Sequence, residues 1–180
     1  TPTSIETGFH PPKNYLSIEH QIDSWQCPID TSSNLQAVAY AYRGAALIHL
    51  YRKIRQHLEA DNGSALVDGL SPDGLDEKIR AIVESTLENI KNVPDNDISE
   101  SSLLFPLFIV GGEVARHDQM ELIRKRLENS YDKRRFRNIS RALEVLEELW
   151  AYRQVQDVLG GVRPDWEDIL RSSEEPLLLT

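Results

Sequence analysis

Hydrophobic residues recur every three or four positions along most of the chain, which is the spacing of one face of an α-helix. Such stripes predict helices over 15–25, 75–93 and 120–131. The clearest stripe lies near the C-terminus and consists of Ile139, Ala142, Leu143, Leu146, Leu149, Trp150 and Arg153. No stretch shows the sustained alternation of a β-strand. We therefore predict an all-α fold, an irregular antiparallel bundle of about six or seven helices.

Segment 35–51 has a different pattern, because its apolar residues surround the helix instead of forming one stripe. Thirteen of its seventeen residues are apolar. A helix that is apolar on nearly all sides is buried on nearly all sides, so we predict that this is the central core helix. Ser33 and Gln36 match a capping box at its start.

The ends of three other helices are indicated by capping residues. Ser71 followed by Pro72 predicts the start of the helix over 75–93, with proline at the first helical position. Asp118 is the expected cap of the helix over 120–131. Asn138 is expected to open the last long helix, and Asp165 with Trp166 to begin a short one.

The most apolar run of the chain is 103–112, and it contains Pro106. A helix that crosses a proline bends or loses a hydrogen bond, so we expect a kink there. Two interpretations of its aromatic and glycine residues are open. They form plain core, or they line an apolar cavity in which the glycines leave room for a ligand. The candidate ligand-binding residues are Phe105, Phe108, Ile109, Gly111, Gly112 and Trp150.

The chain length of 180 residues fits one domain. Residues 1–13 contain three prolines and no periodic pattern, which predicts an extended arm or linker. We predict a single helical domain over 14–180.

The net charge of −9 is unevenly distributed. Between Arg116 and Arg137, eight Lys and Arg residues stand against four acidic residues and give this segment a charge of +4. The simpler interpretation is a solvated helix face and loop. The alternative is a docking patch for an acidic partner, formed by Arg124, Lys125, Lys133, Arg134, Arg135 and Arg137. The acidic total argues against general nucleic-acid binding by this chain, because phosphate contacts need a basic surface.

No pattern predicts catalysis or a metal site. The single cysteine, Cys27, excludes a cysteine-rich zinc site, and there is no HExxH pattern, phosphate loop or nucleophile elbow. We interpret His49 as a hydrogen-bonded core histidine; an all-α hydrolase or isomerase would need His49 or His117 beside a carboxylate. We therefore predict no enzyme activity and no cofactor in this chain.

The sequence also predicts no membrane span, because no apolar run approaches the ~20 residues that cross a bilayer.

Several motifs together resemble a known family. The run 103–113 (LLFPLFIVGGE) is similar to the LLFPLFIAGCEA segment of fungal-specific transcription factor regulatory domains, although Gly112 stands where the family often has cysteine. Other matching segments follow the family's order, namely 45–52, 142–150, 165–166 and 177–179. The most similar branch contains sterol-uptake regulators and acriflavine-sensitivity control proteins.

The resemblance implies an all-helical regulatory domain of a nuclear transcription factor, located in the nucleus or in the cytoplasm before activation. The chain would be the C-terminal part of a longer domain that follows a six-cysteine binuclear zinc cluster, and zinc and DNA would be bound only by that upstream cluster. The implied partners are a hydrophobic small molecule such as a sterol, proteins of the transcription machinery and a second copy in a homodimer. The alternative is a helical dimerisation or adaptor module without a small-molecule ligand.

Overall fold

A computed structural model describes residues 15–60, 71–160, 164–173 and 175–179. These ranges contain seven α-helices and one 3-10 helix, and no β-strand, so the all-α prediction is confirmed. The helices are α1 (Tyr15–Ser24), α2 (Ser33–Ala60), α3 (Pro72–Lys91), the 3-10 helix (Ile98–Leu103), α4 (Leu104–Gly111), α5 (His117–Arg134), α6 (Arg137–Leu159) and α7 (Trp166–Ser172). The predicted arm over 1–13 lies outside the described residues, and the single domain over 14–180 stays a prediction.

Helix α2 is the centre of the bundle, as its apolar pattern predicts. It packs against α1, α3, α4 and the 3-10 helix. Its 28 residues comprise the apolar segment 35–51 and the continuation over 52–57 that the sequence also predicts, and they give a rod of about 42 Å. The capping box predicted at Ser33 is wrong. Ser33 is already helical, and the backbone N–H of Gln36 donates to the carbonyl of Ser32, which precedes the helix.

Helix α3 begins as its sequence predicts. The Ser71 hydroxyl accepts a hydrogen bond from the Gly74 backbone N–H at 3.1 Å, and Pro72 occupies the first turn. The residues that α3 buries lie on one stripe: Leu75, Ile79, Val83, Thr86, Leu87 and Ile90. This stripe packs against α2, and Gly44 lets the two helices approach closely, because a Cβ atom there would overlap the Thr86 hydroxyl.

Replacing Gly44 by alanine tests this close approach. We expect Gly44→Ala to lower the free energy of unfolding by about 1–2 kcal/mol, since the overlap outweighs the better helix propensity of alanine. Thr86→Ala removes the hydroxyl that the new Cβ would overlap. Adding Gly44→Ala to Thr86→Ala should therefore cost much less stability than adding Gly44→Ala to the wild type. Urea unfolding followed by circular dichroism measures both effects. A more stable Gly44→Ala protein would contradict the contact.

The predicted kink at Pro106 is wrong. The chain enters α4 through the 3-10 helix, and α4 begins at Leu104, so Pro106 lies in its first turn. Backbone N–H groups of the first turn have no acceptor within the α-helix, so the missing N–H of proline costs nothing there. Helix α4 is therefore regular from Leu104 to Gly111.

The ends of α5 and α6 differ slightly from the prediction. Arg116, not Asp118, occupies the N-cap of α5, and Asp118 in the first turn instead pairs with the Arg116 guanidinium. Helix α6 begins at Arg137, one residue before the expected Asn138. It ends at Leu159 and is followed by the C-cap Gly160, whose positive φ of 70° suits glycine. The buried stripe predicted for α6 is otherwise confirmed, with Leu143 partly exposed.

Helix α7 starts where the sequence predicts. The Asp165 carboxylate caps its first turn and accepts a hydrogen bond from the Glu167 backbone N–H at 3.0 Å, while the Asp168 side chain accepts from the Asp165 backbone N–H. No helix in the described ranges is long and apolar enough to cross a membrane.

Candidate functional site

A buried ion cluster lies at the contact of α2, α7 and the segment that follows α4. We define it as Arg52, Arg55, Glu113 and Asp165. The side chain of Arg52 is fully buried, and its Nε lies 2.9 Å from the Glu113 carboxylate, which is 1% exposed. Arg55 donates to both oxygens of Glu113 at 3.1 Å. Arg52 Nη2 lies 2.6 Å and 2.7 Å from the two oxygens of Asp165.

The ion cluster fixes the position of α7. Besides Arg52, Asp165 accepts a hydrogen bond from the Gln56 side chain at 3.0 Å, and Glu167 pairs with Lys53 at 2.6 Å. Burial alone would raise the pKa of Asp165, but the Arg52 charge and the hydrogen bonds outweigh it, so the pKa lies below its ordinary value. The carboxylate is therefore ionised at neutral pH and attaches α7 to α2.

Five of the six candidate ligand-binding residues lie together in the core, where α4 meets α6 and α7. They are Phe108, Ile109, Gly111, Gly112 and Trp150. The Trp150 indole N–H donates to the carbonyl of Gly111 at 2.9 Å. The space beside each glycine is filled, because a Cβ atom would lie 2.6 Å from Leu146 at Gly111 and 2.8 Å from Trp166 at Gly112.

The indole of Trp166 packs against Gly112 at the C-terminal end of α4. The Trp166 ring contacts Phe108 edge to face, with ring centroids 5.1 Å apart. The Arg52 guanidinium also lies over the Trp166 ring, 4.6 Å from its centroid. The Nε1 of Trp166 is buried and has no hydrogen-bond partner among the described residues. The sequence indicated Trp166 as the start of a short helix and as an aromatic residue of the core or of an apolar cavity, but its contact with Gly112 had no sequence signal.

Phe105, the sixth candidate, lies in a different place. It stacks on Tyr42 with ring centroids 5.5 Å apart. Both rings line an open groove of about 570 Å³ between α1, α2 and the start of α4, which we call the aromatic groove. Its lining residues are Gln21, Ile22, Trp25, Ala39, Tyr42, Arg43, Ala46 and Phe105. Trp25 and Tyr42 were not among the candidate ligand-binding residues, because the stripe of 15–25 and the apolar segment 35–51 both predict plain core.

Polar contacts hold helix α1, one wall of the aromatic groove, in place. Glu19 accepts a hydrogen bond from the Tyr51 hydroxyl on α2 and pairs with Lys78 on α3 at 2.8 Å. Trp25, which follows α1, is 43% exposed, and Tyr42 on α2 is 39% exposed. The groove therefore presents two partly exposed aromatic side chains on a fixed backbone.

The predicted partner patch meets acidic groups of the same chain. Arg124 pairs with Glu147 at 2.8 Å, and Arg137 pairs with Glu175 at 2.8 Å. The buried carboxylate of Glu100 lies 3.0 Å from Lys133 and 3.7 Å from Arg134. Arg135, which adopts a left-handed φ of 55° at the end of α5, lies 3.6 Å from Asp132, and Lys125 is exposed.

The histidines do not form a catalytic arrangement within the part of the chain described. His49 is half-buried, and its Nδ1 has no hydrogen-bond partner there, contrary to the expected hydrogen-bonded core histidine. Burial lowers its pKa, and the charges of Arg52 and Lys53 lower it further. The nearby carboxylates of Asp165 and Glu167 already pair with these two cations. His117 is exposed, and no group of three metal-ligating side chains comes together in the described ranges.

The described residues thus form an all-helical bundle with an open, mostly apolar groove, and concave apolar surfaces are where ligands commonly bind. A family model described as the fungal-specific transcription factor domain matches residues 5–180. The chain therefore belongs to this family, as the resemblance predicted, and the family points to a regulatory role in transcription. Searches of curated proteins and of solved structures gave no significant match. The sterol-uptake branch and the upstream zinc cluster stay predictions.

The attachment of α7 predicts a dependence of stability on pH. Because the pKa of Asp165 is lowered by folding, Asp165 stabilises the protein above the ordinary aspartate pKa of about 3.9. This contribution is lost as the pH falls through the value in the folded protein. We expect Asp165→Asn to be less stable at pH 7 and to lose less stability than wild type between pH 7 and about 3.

Urea midpoints measured across this pH range test the expectation. Asp157→Asn, which changes an exposed aspartate on α6, is the matched control and should follow the wild-type curve. Parallel pH curves for wild type and Asp165→Asn would show that Asp165 does not stabilise the fold through its charge.

Proposed function

We propose that this chain is a regulatory domain of a fungal zinc-cluster transcription factor and that it senses a hydrophobic small molecule without catalysing a reaction. The observation that carries the proposal is the aromatic groove. Its volume of about 570 Å³ is in the range of small-molecule sites, and its walls are the rings of Trp25, Tyr42 and Phe105.

The lining of the groove favours a flat, apolar ligand with a small polar end. Its polar side chains are Gln21 and Arg43, and the rest of the lining is aliphatic or aromatic. Arg43 lies at the rim, where it donates to the carbonyl of Trp25 at 3.3 Å and faces Asp23 at 3.8 Å. A sterol has this chemistry, with fused apolar rings and one hydroxyl group, and it agrees with the branch that the sequence resembles.

Helix α4 provides a route from the groove to α7. Phe105 in its first turn lines the groove, and Phe108 one turn later contacts Trp166. The buried indole N–H of Trp166 lacks a hydrogen-bond partner among the described residues, so its contact with α4 carries a desolvation cost. A ligand shifts the balance between two packings only if it binds one of them better. We propose that groove occupancy selects one packing of Phe105 and the start of α4, and that the change reaches Trp166 through Phe108 while the ion cluster keeps α7 attached to α2.

Filling the groove is the direct test of this function. A fluorescent sterol, dehydroergosterol, should bind the purified protein saturably, with one molecule per chain. Ala46→Trp places an indole in the groove and should weaken binding by about tenfold or more, which corresponds to about 1.4 kcal/mol. The matched control, Ala151→Trp, adds the same side chain at an exposed position on α6 and should bind like wild type.

Two results would contradict the proposal. Equal sterol affinity in wild type and Ala46→Trp would place the ligand outside the groove. No sterol binding, together with a dimer in light scattering, would favour the dimerisation module instead. The observation behind that second function is a run of exposed apolar side chains along α6, formed by Tyr152, Val155 and Val158.

A further inference from the structure

The segment after α7 returns to the N-terminal end of α6. We call Ser173 and residues 175–179 the C-terminal strap. The Glu175 carboxylate accepts hydrogen bonds from Arg137 Nη2 at 2.8 Å through both of its oxygens, and Arg141 Nε lies 3.9 Å from it. Arg141 also donates to the Ser173 hydroxyl at 2.5 Å. Because Arg137 and Arg141 are four residues apart, they lie on one face of α6.

The leucines of the strap alternate between partly buried and exposed positions. Leu177 and Leu179 pack against the hydrophobic core, whereas Leu178 between them is 66% exposed. Alternation with a period of two is the pattern of an extended peptide. The strap thus contacts the domain as a bound peptide would, through one carboxylate and two leucines that follow at the second and fourth positions.

The ion pair between Arg137 and Glu175 is weaker in kind than the pairs of the ion cluster. The Arg137 and Glu175 side chains are 72% and 53% exposed, so their attraction is screened by water and salt. The neighbouring α7 is held instead by the fully buried Arg52. Breaking the ion pair between the strap and α6 therefore costs less than breaking the attachment of α7 to α2.

We infer that the strap is an internal ligand, and that the face it covers accepts an acidic, leucine-containing peptide of a protein partner when the strap lifts. This acceptor face consists of Arg137, Arg141 and the apolar surface beneath Leu177 and Leu179. Charge complementarity specifies the carboxylate of the partner peptide, and the alternation specifies its leucine spacing. The inference does not depend on the aromatic groove, because it rests on contacts of α6 and the strap alone.

A labelled peptide with the sequence of residues 173–179 (SEEPLLL) is a probe for the acceptor face. Its binding is measured by fluorescence anisotropy with the full chain and with the double variant Leu177→Ser/Leu179→Ser, which loosens the strap and leaves Arg137 and Arg141 unchanged. We expect the variant to bind the probe about tenfold more tightly, since its face is free for a larger fraction of the time. The matched control, Leu178→Ser, changes the exposed leucine and should bind like wild type.

Charge reversal separates the acceptor face from nonspecific apolar binding. In the double variant, Arg137→Glu should abolish binding of the probe, and a probe with lysine in place of the Glu175 equivalent should recover part of it. Circular dichroism checks that each variant is folded. Equal affinity of wild type and the double variant, or binding that survives Arg137→Glu, would overturn the inference. A dimer in size-exclusion chromatography that requires both Arg137 and Glu175 would also overturn it, because the face would then take the strap of a second copy.

Discussion

The arrangement around the C-terminal half of α2 depends on the ion pair between Arg52 and Glu113. Both side chains are withdrawn from water, at 0% and 1% exposure. Removing a charged group from water costs several kcal/mol, so each charge is tolerated only while its partner stays in place. The segment after α4 must therefore keep Glu113 beside α2, and α7 must keep Asp165 against the same guanidinium.

This constraint explains why the short helix α7 has a defined position. Seven residues are too few for a stable isolated helix. Its capping residue Asp165 is also the partner of Arg52, so one carboxylate both starts the helix and attaches it. Attachment in turn places Trp166 over Gly112, which closes the end of α4 opposite the aromatic groove. The groove and the ion cluster are thus joined by a single regular helix.

Sequence patterns predicted the elements of this fold better than their contacts. The period of 3.6 residues gave the stripe of α6, and local chemistry located Ser71 and Asp165, because helix periodicity and caps depend on near neighbours. Pro106 was misread, since its effect depends on whether the helix starts two residues before it or earlier. The ion cluster had no local signal, because Arg52 and Asp165 are 113 positions apart.

The candidate site was only partly predictable, because its contacts also join residues that are far apart in the chain. The run 103–112 is the element on which the groove and α7 meet, but whether its glycines leave a cavity depends on Leu146 and Trp166 from distant helices. The basic segment 116–137 was identified from its charge alone, whereas its acidic partners, such as Glu175 and Glu147, come from elsewhere in the chain. Trp25 and Tyr42 are exposed because the packing of α1 against α2 leaves both rings uncovered. The hydrophobic pattern of a single helix does not show which of its side chains a neighbouring helix covers.

The most direct test of the buried pair is the free energy of unfolding of Glu113→Gln, measured by urea denaturation at pH 7 beside the exposed control Asp118→Asn. Glutamine keeps the shape of glutamate but leaves the charge of Arg52 without its buried partner. We predict a loss of about 3–5 kcal/mol for Glu113→Gln and a much smaller loss for Asp118→Asn, whose carboxylate is exposed to solvent. A loss for Glu113→Gln as small as that of the control would contradict the central place given to this ion pair.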